Sequence, residues 1–364
     1  MADYVTVLQN KRRELEERES EDKYEINTDS DEDEDTEKEV ELSKEMGGFY
    51  MAKEQERIDK KFTVLDKIGR GHFSNVWKVK NNNDTVLAMK IQKSARSYRI
   101  AAQEEIFIYE IIKKNHGSCE NLIEMINSGS FKSDNGRHFY LTFDVMDCDL
   151  HAFIKTFEDN KLSMELTSDI AFQLLKGTAF LHNCGFLHSD IKPDNILLKQ
   201  TETSNLFKLA DLGTACAIGD RTNDYLQTSS YRSPEIILSY YNWDEKIDIW
   251  SLACVFFECL VGEDLFIGDN ESDFIKTFVE TLGMPTYAHL KNCKLTRDFF
   301  DRNGFIINSF DMRPLPLSRK LVDEHDFSYD DANAISRLLL PMLEWEPAKR
   351  WSAQDLLNLY VKKN

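Results

Sequence analysis

The chain has 364 residues, 41% hydrophobic and 30% charged, with 64 acidic against 45 basic side chains and a formal net charge of −19. That length suits about two domains or one two-lobed unit with a sizeable core, and the acidity argues against non-specific binding to nucleic acid or an anionic membrane and favours basic partners. Seven cysteines without a CxxC pair or framework spacing predict buried free thiols in a reducing compartment.

The first twenty residues carry many charges, so no signal peptide is expected. Residues 1–46 read as an acidic, disordered tail. Within it Lys11–Arg18 could form a transient helix of alternating charge, and the acidic run Thr28–Glu41 cannot bury enough surface to fold. Ser30, followed by Asp31, Glu32 and Asp33, fits a phosphorylation pattern set in acidic residues, although a solvated spacer is the favoured reading.

From Lys61 the pattern turns to strand: Phe62–Leu65, a glycine-containing turn at Gly69-Arg70-Gly71, Val76–Val79, a hairpin signal at Asn81–Asp84, and Val86–Ile91. Ala101–Lys114 is expected as a helix, followed by strands near Leu122–Ser128 and Phe139–Val145. Helices are then expected at Leu150–Phe157, Leu166–Asn183, Ile247–Val261, Ser272–Leu282 and Asp330–Leu343. The longest apolar stretch, Leu252–Val261, contains Glu258 and is too short to span a bilayer. Strands first and helices after give an α+β chain.

Two segments carry chemistry. Gly69 and Gly71 let the backbone approach a phosphate closely, and Lys90, fourteen residues past Val76, is placed to hold phosphate oxygens. Glu105 or Glu104 is the candidate ion-pair partner of that lysine. Downstream, His188-Ser189-Asp190-Ile191-Lys192-Pro193-Asp194-Asn195 is followed sixteen residues later by Asp211-Leu212-Gly213. Phosphoryl transfer needs such a set: a carboxylate to orient and deprotonate a hydroxyl (Asp190), a cation near the moving phosphate (Lys192), and hard oxygens for Mg²⁺ (Asn195 and Asp211).

These segments resemble the glycine-rich, catalytic and metal-binding loops of a protein kinase, with HSD for the usual HRD, DLG for DFG, and Ser74 for the third glycine. The resemblance implies a two-lobed α+β fold, with a β-rich N-lobe at about 61–146 and a helical C-lobe at about 147–364. It implies ATP and Mg²⁺ as cofactors. The kinase glutamate directly precedes an apolar residue, which selects Glu105 ahead of Ile106. Val76, Ala88 and Leu197 become candidate walls for adenine, Phe143 the back of the pocket, and Asp144–Met146 the hinge. Glu235 is expected to pair with Arg350, and Asp248 to cap the backbone of the catalytic loop. Ser189 stands where many kinases carry an Arg that meets an activation-loop phosphate, so activity independent of such phosphorylation is expected.

Further segments are similar to the SR-protein kinase family: Gly47-Gly48-Phe49-Tyr50, Gly71–Trp77, Ala88–Ala95, Asp211–Cys216, Gln227-Thr228 with Tyr231-Arg232-Ser233, and Leu338–Glu344. The resemblance runs from about Gly47 to the C-terminus, and Tyr231-Arg232 also fits the wider CMGC group. It implies phosphorylation of serines in Arg-Ser-rich proteins such as splicing factors, by a monomer that contacts neither nucleic acid nor membrane directly. Glu263, Asp273 and Glu280 match the family's acidic docking groove; the last two, seven residues apart, share a helix face. There are departures. Asn195 to Asp211 leaves no room for the long insert of eukaryotic members, so localisation stays open between cytoplasm and nucleus. Ser229 stands where relatives carry Arg. The competing readings are a CLK- or DYRK-like kinase with dual or proline-directed specificity, and a weakly active scaffold for basic partners.

Overall fold

A computed structural model describes residues 3–19, 46–222, 226–307 and 312–361. The acidic run Thr28–Glu41 and the pattern at Ser30 lie outside the described residues. The chain forms two compact units. One contains the described residues up to Asp147 together with Asp211–Gly213; the other contains Cys148–Ala210 and the residues from Thr214 on.

The first unit runs α1 (Tyr4–Glu19), β1 (Arg57–Ile58), β2 (Phe62–Arg70), β3 (Ser74–Asn81), β4 (Val86–Gln92), α2 (Arg96–Asn115), β5 (Asn127–Ser133) and β6 (Gly136–Phe143). Its six strands form one antiparallel sheet in the order β1-β2-β3-β4-β6-β5. Strand alternation divides the side chains between two faces. Phe62, Val64, Trp77, Val79, Leu87, Met89 and Ile91 build the core on one face; each buried side chain of this size contributes about 1.5–3 kcal/mol. The other face carries Val76 opposite Lys90 and Ala88 opposite Phe143. At the β3–β4 turn Asn81 Oδ1 accepts the N–H groups of Asn83 and Thr85, both at 2.9 Å, and Asp84 takes φ 62°. The Gly47–Tyr50 segment is stitched to this unit: Ala95 N–H donates to Gly47 O at 2.9 Å, and Asn135 Nδ2 donates to Phe49 O at 2.8 Å.

Two expectations change here. The start of the supposed disordered tail is a sixteen-residue helix, α1, longer than the transient Lys11–Arg18 segment, with Leu8 and Leu15 buried. Its partners lie on or just past α2, eighty or more residues away, which local charge patterning does not reveal. The strand expected near Leu122–Ser128 begins instead at Asn127. Leu122, Ile123 and Met125 are buried outside any strand, Leu122 in an isolated bridge, so the apolarity of Ile123 and Met125 reflects packing rather than pairing.

The second unit begins with β7 (Cys148–Asp149) and a short helical segment, Leu150–Ile154, which is three residues shorter than expected. There follow α3 (Met164–Asn183), β8 (Phe186–Leu187), β9 (Ile196–Gln200), β10 (Asn205–Leu209) and β11 (Cys216–Ala217). The longer helices after these are α4 (Ile247–Val261), α5 (Glu271–Leu282), α6 (Leu317–Asp323), α7 (Tyr329–Leu339) and α8 (Ala353–Val361). The strands form the small sheets β10-β9-β7 and β11-β8. All fifteen residues of α4 are buried, so the two charges it carries, Asp248 and Glu258, need partners. The helix ends at Gly262 with φ 81°, where a Cβ would stand 2.8 Å from Asp159 O. Helix α7 stops at Leu339 and gives way to a tight turn over Leu340–Met342, because Pro341 has no N–H to continue the ladder. Cys184, Cys254, Cys259 and Cys293 are buried free thiols, whereas Cys119, Cys148 and Cys216 are partly exposed, so burial holds for only four of the seven. Among the described residues no helix is long and apolar enough to cross a membrane.

Candidate active site

In the first unit Lys90 meets two carboxylates. Its Nζ donates to Glu105 Oε1 and Oε2 at 3.0 and 2.9 Å, and to Asp211 Oδ1 at 2.7 Å. Burial opposes the ammonium charge, but Asp211 and Glu105 outweigh it and hold the Lys90 pKa above its ordinary value. Glu105 is the partner; Glu104 points elsewhere and receives Arg12 at 2.6 and 2.8 Å. A Cβ at Gly213 would lie 2.9 Å from Asp211 Oδ1 and 3.6 Å from Lys90 Nζ, so a side chain there would have to displace the Asp211 carboxylate. Gly69 pairs with Val76 across β2 and β3, with room for a Cβ only 3.3 Å from Val76 Cβ, and Gly71 N–H donates to Ser74 O at 2.8 Å. Ser74 is buried at the start of β3, and Val76 and Ala88 are half-buried on the Lys90 face. Phe143 is buried with its ring 5.7 Å from that of Tyr109, and Asp144, Val145 and Met146 follow outside any strand.

In the second unit Asp190 is oriented by three side chains. Its Oδ1 accepts from the Thr228 hydroxyl at 2.7 Å and from Thr228 N at 3.2 Å, and its Oδ2 accepts from Asn195 Nδ2 at 3.0 Å. Lys192 Nζ stands 3.2 Å from Asp190 Oδ2 and donates to Thr228 Oγ1 at 3.0 Å. The geometry thus gathers Asp190, Lys192 and Asn195 and adds Thr228, which the sequence offered only as part of the Gln227-Thr228 resemblance, without a role. Leu197, between buried Ile196 and Leu198 on β9, turns a half-exposed face outward.

The scaffold of this loop is polar and dry. Asp248 accepts His188 N–H at 2.8 Å and Ser189 N–H at 2.9 Å, with His182 Nε2 at 2.9 Å from the same carboxylate. Asp248 therefore caps the loop backbone as expected. His188 Nε2 lies 2.9 Å from Ala210 O while Asp190 N–H points to Nδ1 at 3.3 Å, an arrangement that fits the Nε2–H tautomer. Ser189, at φ 65° and fully buried, donates its hydroxyl to Thr214 O at 2.6 Å. Gln227 binds the backbone at Tyr231, Ile247 and Ser233, and Arg232 donates to Gln227 O at 2.8 Å. Arg350 forms a bidentate pair with Glu235 at 2.6 and 2.9 Å, both side chains fully buried.

Glu258 accepts from Tyr231 Oη at 2.7 Å. Burial pushes its carboxyl pKa from 4.5 up to about 7, with Asp264 and Asp194 adding to the shift and the Tyr231 hydroxyl opposing it. A group raised in this way contributes stability that is fully present below pH 4.5 and is lost as pH rises through about 7. Glu258→Gln keeps an acceptor for Tyr231 and removes the titration. Thermal melts at pH 4.5 and pH 8 should show little change at the acid end and a gain on the order of 2–3 kcal/mol at pH 8. An equal effect at both pH values would contradict the assignment.

The three docking candidates fall on two elements. Asp273 and Glu280 sit on α5, half-buried. Asp273 Oδ2 accepts from Asn270 Nδ2 at 2.7 Å while its Oδ1 has Lys276 Nζ 3.9 Å away, and Glu280 Oε1 accepts Arg313 N–H at 2.7 Å. Glu263 is exposed in the segment after α4, where its charge acts on His325.

The protein kinase domain family matches residues 62–361. The chain is 28% identical over 375 residues to a serine/threonine-protein kinase SRPK of Physarum polycephalum, covering 85% of this chain and 88% of that protein. It is 30% identical over 318 residues to the human dual specificity tyrosine-phosphorylation-regulated kinase 4, covering 85% of this chain and 59% of that one. With the human dual specificity tyrosine-phosphorylation-regulated kinase 3 it shares 33% over 260 residues, which is 71% of this chain and 43% of the relative. The chain spans less than two thirds of the length of these two dual-specificity relatives.

Proposed function

The chain belongs to the protein kinase family and is a serine/threonine protein kinase of the CMGC group, and from that premise we propose that its acceptors are serines in Arg-Ser-rich proteins, such as splicing factors. Members of the family generally use ATP and Mg²⁺. In this reading Lys90, held by Glu105, receives the α- and β-phosphates, and Gly69, Gly71 and Ser74 form the loop over them. We assign Val76 and Ala88 to the adenine contact, with the backbone of Asp144 and Met146 as the hinge. Asn195 and Asp211 each suit Mg²⁺: the Asn195 amide nitrogen is turned to Asp190, so its other side presents a hard oxygen, and the Asp211 carboxylate is 46% exposed. Bound Mg·ATP supplies the phosphoryl group and the charge that offsets its oxygens. Asp190 orients the acceptor hydroxyl and takes its proton at a carboxylate oxygen, while Lys192 steadies the γ-phosphate and Thr228 fixes both side chains.

The single observation that carries the proposal is the Asp190–Lys192–Asn195–Thr228 cluster, set in a chain with motifs similar to those of SR-protein kinases. The docking role of Glu263, Asp273 and Glu280 is supported by chemistry: carboxylates bind guanidinium groups in bidentate geometry, and a −19 chain attracts a polybasic segment. Independence from activation-loop phosphorylation is supported by the neutral Ser189–Thr214 bond, which ties the loop where a cation–phosphate pair would otherwise act. The test is steady-state transfer to an Arg-Ser peptide before and after phosphatase treatment, in wild type and in Asp273→Asn/Glu280→Gln. Phosphatase should leave kcat unchanged, and the double variant should raise the peptide KM with kcat preserved. Activity abolished by phosphatase would refute the first part, and an unchanged KM the second. Dual or proline-directed specificity is a second reading, favoured by the dual-specificity relatives; preferential use of proline-directed peptides would establish it.

A further inference from the structure

Helix α1 covers one face of α2 with complementary groups along its length. Leu8, Arg12, Leu15 and Glu19 recur at spacings of four, three and four and therefore share one helix face. Leu8 and Leu15 are buried there, Leu15 at 1% exposure. Arg12 grips Glu104 with Nε at 2.6 Å and Nη2 at 2.8 Å. Glu19, itself buried, accepts from Arg99 Nε at 2.7 Å and from Gln103 Nε2 at 3.1 Å. Arg96 Nη2 donates to Glu16 O at 2.8 Å, and Lys11 Nζ lies 5.5 Å from the Phe107 ring centroid. At the opposite end Tyr4 Oη meets His116 Nε2 and Asn115 Nδ2, each at 3.2 Å. The contacts run from Arg96 to His116, the whole length of α2.

The glutamate that α1 holds is the neighbour of the one that Lys90 holds. On a helix successive residues point about 100° apart, so Glu104 faces α1 while Glu105 turns inward to Lys90 at 2.9 Å. Fixing Glu104 fixes the rotation of α2 about its own axis, and that rotation decides whether Glu105 reaches Lys90. We propose that α1 is a built-in positioning element that clamps α2 in the rotation joining Glu105 to Lys90, so that the nucleotide site is assembled by this chain's own N-terminal helix. Arg12 and Glu19 are positioning residues that act through Glu104 and Arg99. The inference rests on the assignment of Lys90 and Glu105 to the nucleotide site.

The test uses the full chain in five forms: wild type, Arg12→Glu, Glu104→Arg, the charge swap Arg12→Glu/Glu104→Arg, and Lys90→Met. Phosphate transfer is measured over a range of Mg·ATP concentrations well below each variant's Tm. Each single reversal should lower kcat/KM for ATP about tenfold, near the lower end of coupling between distinct sites. The swap should recover most of the loss, and Lys90→Met should abolish transfer. A role limited to stability would lower Tm and leave kcat/KM untouched. Single reversals within twofold of wild type beside an inactive Lys90→Met, or a swap no better than the singles, would overturn the clamp. An active Lys90→Met would overturn the nucleotide-site assignment and the clamp with it. If Arg12→Glu does not fold, Arg12→Gln in the same assay decides, with a loss of kcat/KM supporting the clamp and wild-type kcat/KM overturning it.

Discussion

Asp190→Ala should lower kcat by about 10²–10⁴-fold, the contribution of a positioned general base. The KM for ATP should change little, because the phosphate-holding groups belong to Lys90 and its partners. The reason for a large effect is orientation as much as basicity. Thr228 donates two hydrogen bonds to one oxygen of Asp190 and Asn195 donates to the other, so the carboxylate is fixed before an acceptor arrives. In a loose transition state the hydroxyl proton leaves late, so a rigidly held acceptor need not be strongly basic. The substituted loop should still fold, since Asp248 holds its backbone at His188 and Ser189 without help from Asp190. Single-turnover kinetics of wild type and variant check this. A variant within tenfold of wild type would remove Asp190 from the chemistry.

Arg350→Met should destabilise the second unit by about 3–5 kcal/mol, the range for breaking a buried ion pair by deleting one partner. Arg350 donates to Glu235, to Glu344 O at 2.7 Å and to Lys246 O at 2.8 Å, and stacks 5.2 Å from the Trp250 ring centroid. Methionine fills part of the volume but leaves the Glu235 carboxylate buried and uncompensated and removes the Arg350 donors from Glu344 O, while Lys246 O keeps the N–H groups of Ile249 and Trp250. Arg350→Met/Glu235→Gln should recover part of the loss, because the stranded charge is gone. Denaturant titration followed by fluorescence of the tryptophans measures both. A single variant within 1 kcal/mol of wild type would mean that water reaches Glu235, against its complete burial.

The catalytic groups were legible because phosphoryl transfer constrains residue types at short spacings: Asp190, Lys192 and Asn195 lie within six residues of one another. The strands around Lys90 were legible because Val86–Ile91 is a short, almost wholly apolar run bounded by the turn signal at Asn81–Asp84; its burial alternates only over Val86–Met89 and is continuous from there on. Pairings such as Glu235–Arg350 and Asp248 with the His188–Ser189 backbone were accessible only through the resemblance, since more than a hundred residues separate the first pair. Three features escaped. Helix α1 places Arg12 and Glu19 on its docking face, so its pattern reads as solvated charge until Glu104 and Arg99 are seen opposite. Thr228 carries no motif of its own; its role comes from the fold that sets it against Asp190. Glu258 looked like an interruption of an apolar run, yet it is a buried acid bonded to Tyr231, three residues after Thr228.

The central claim is tested most directly by following labelled phosphate from Mg·ATP to three peptides: an Arg-Ser repeat, the same repeat with Lys for Arg, and an acidic control. Wild type should phosphorylate serine in the Arg-Ser peptide, the Lys version much less and the acidic peptide not at all, with Asp190→Ala inactive on each. Equal transfer to the Arg and Lys versions, or preference for the acidic peptide, would contradict recognition of Arg-Ser segments, and absence of transfer to every peptide would contradict the catalytic reading itself.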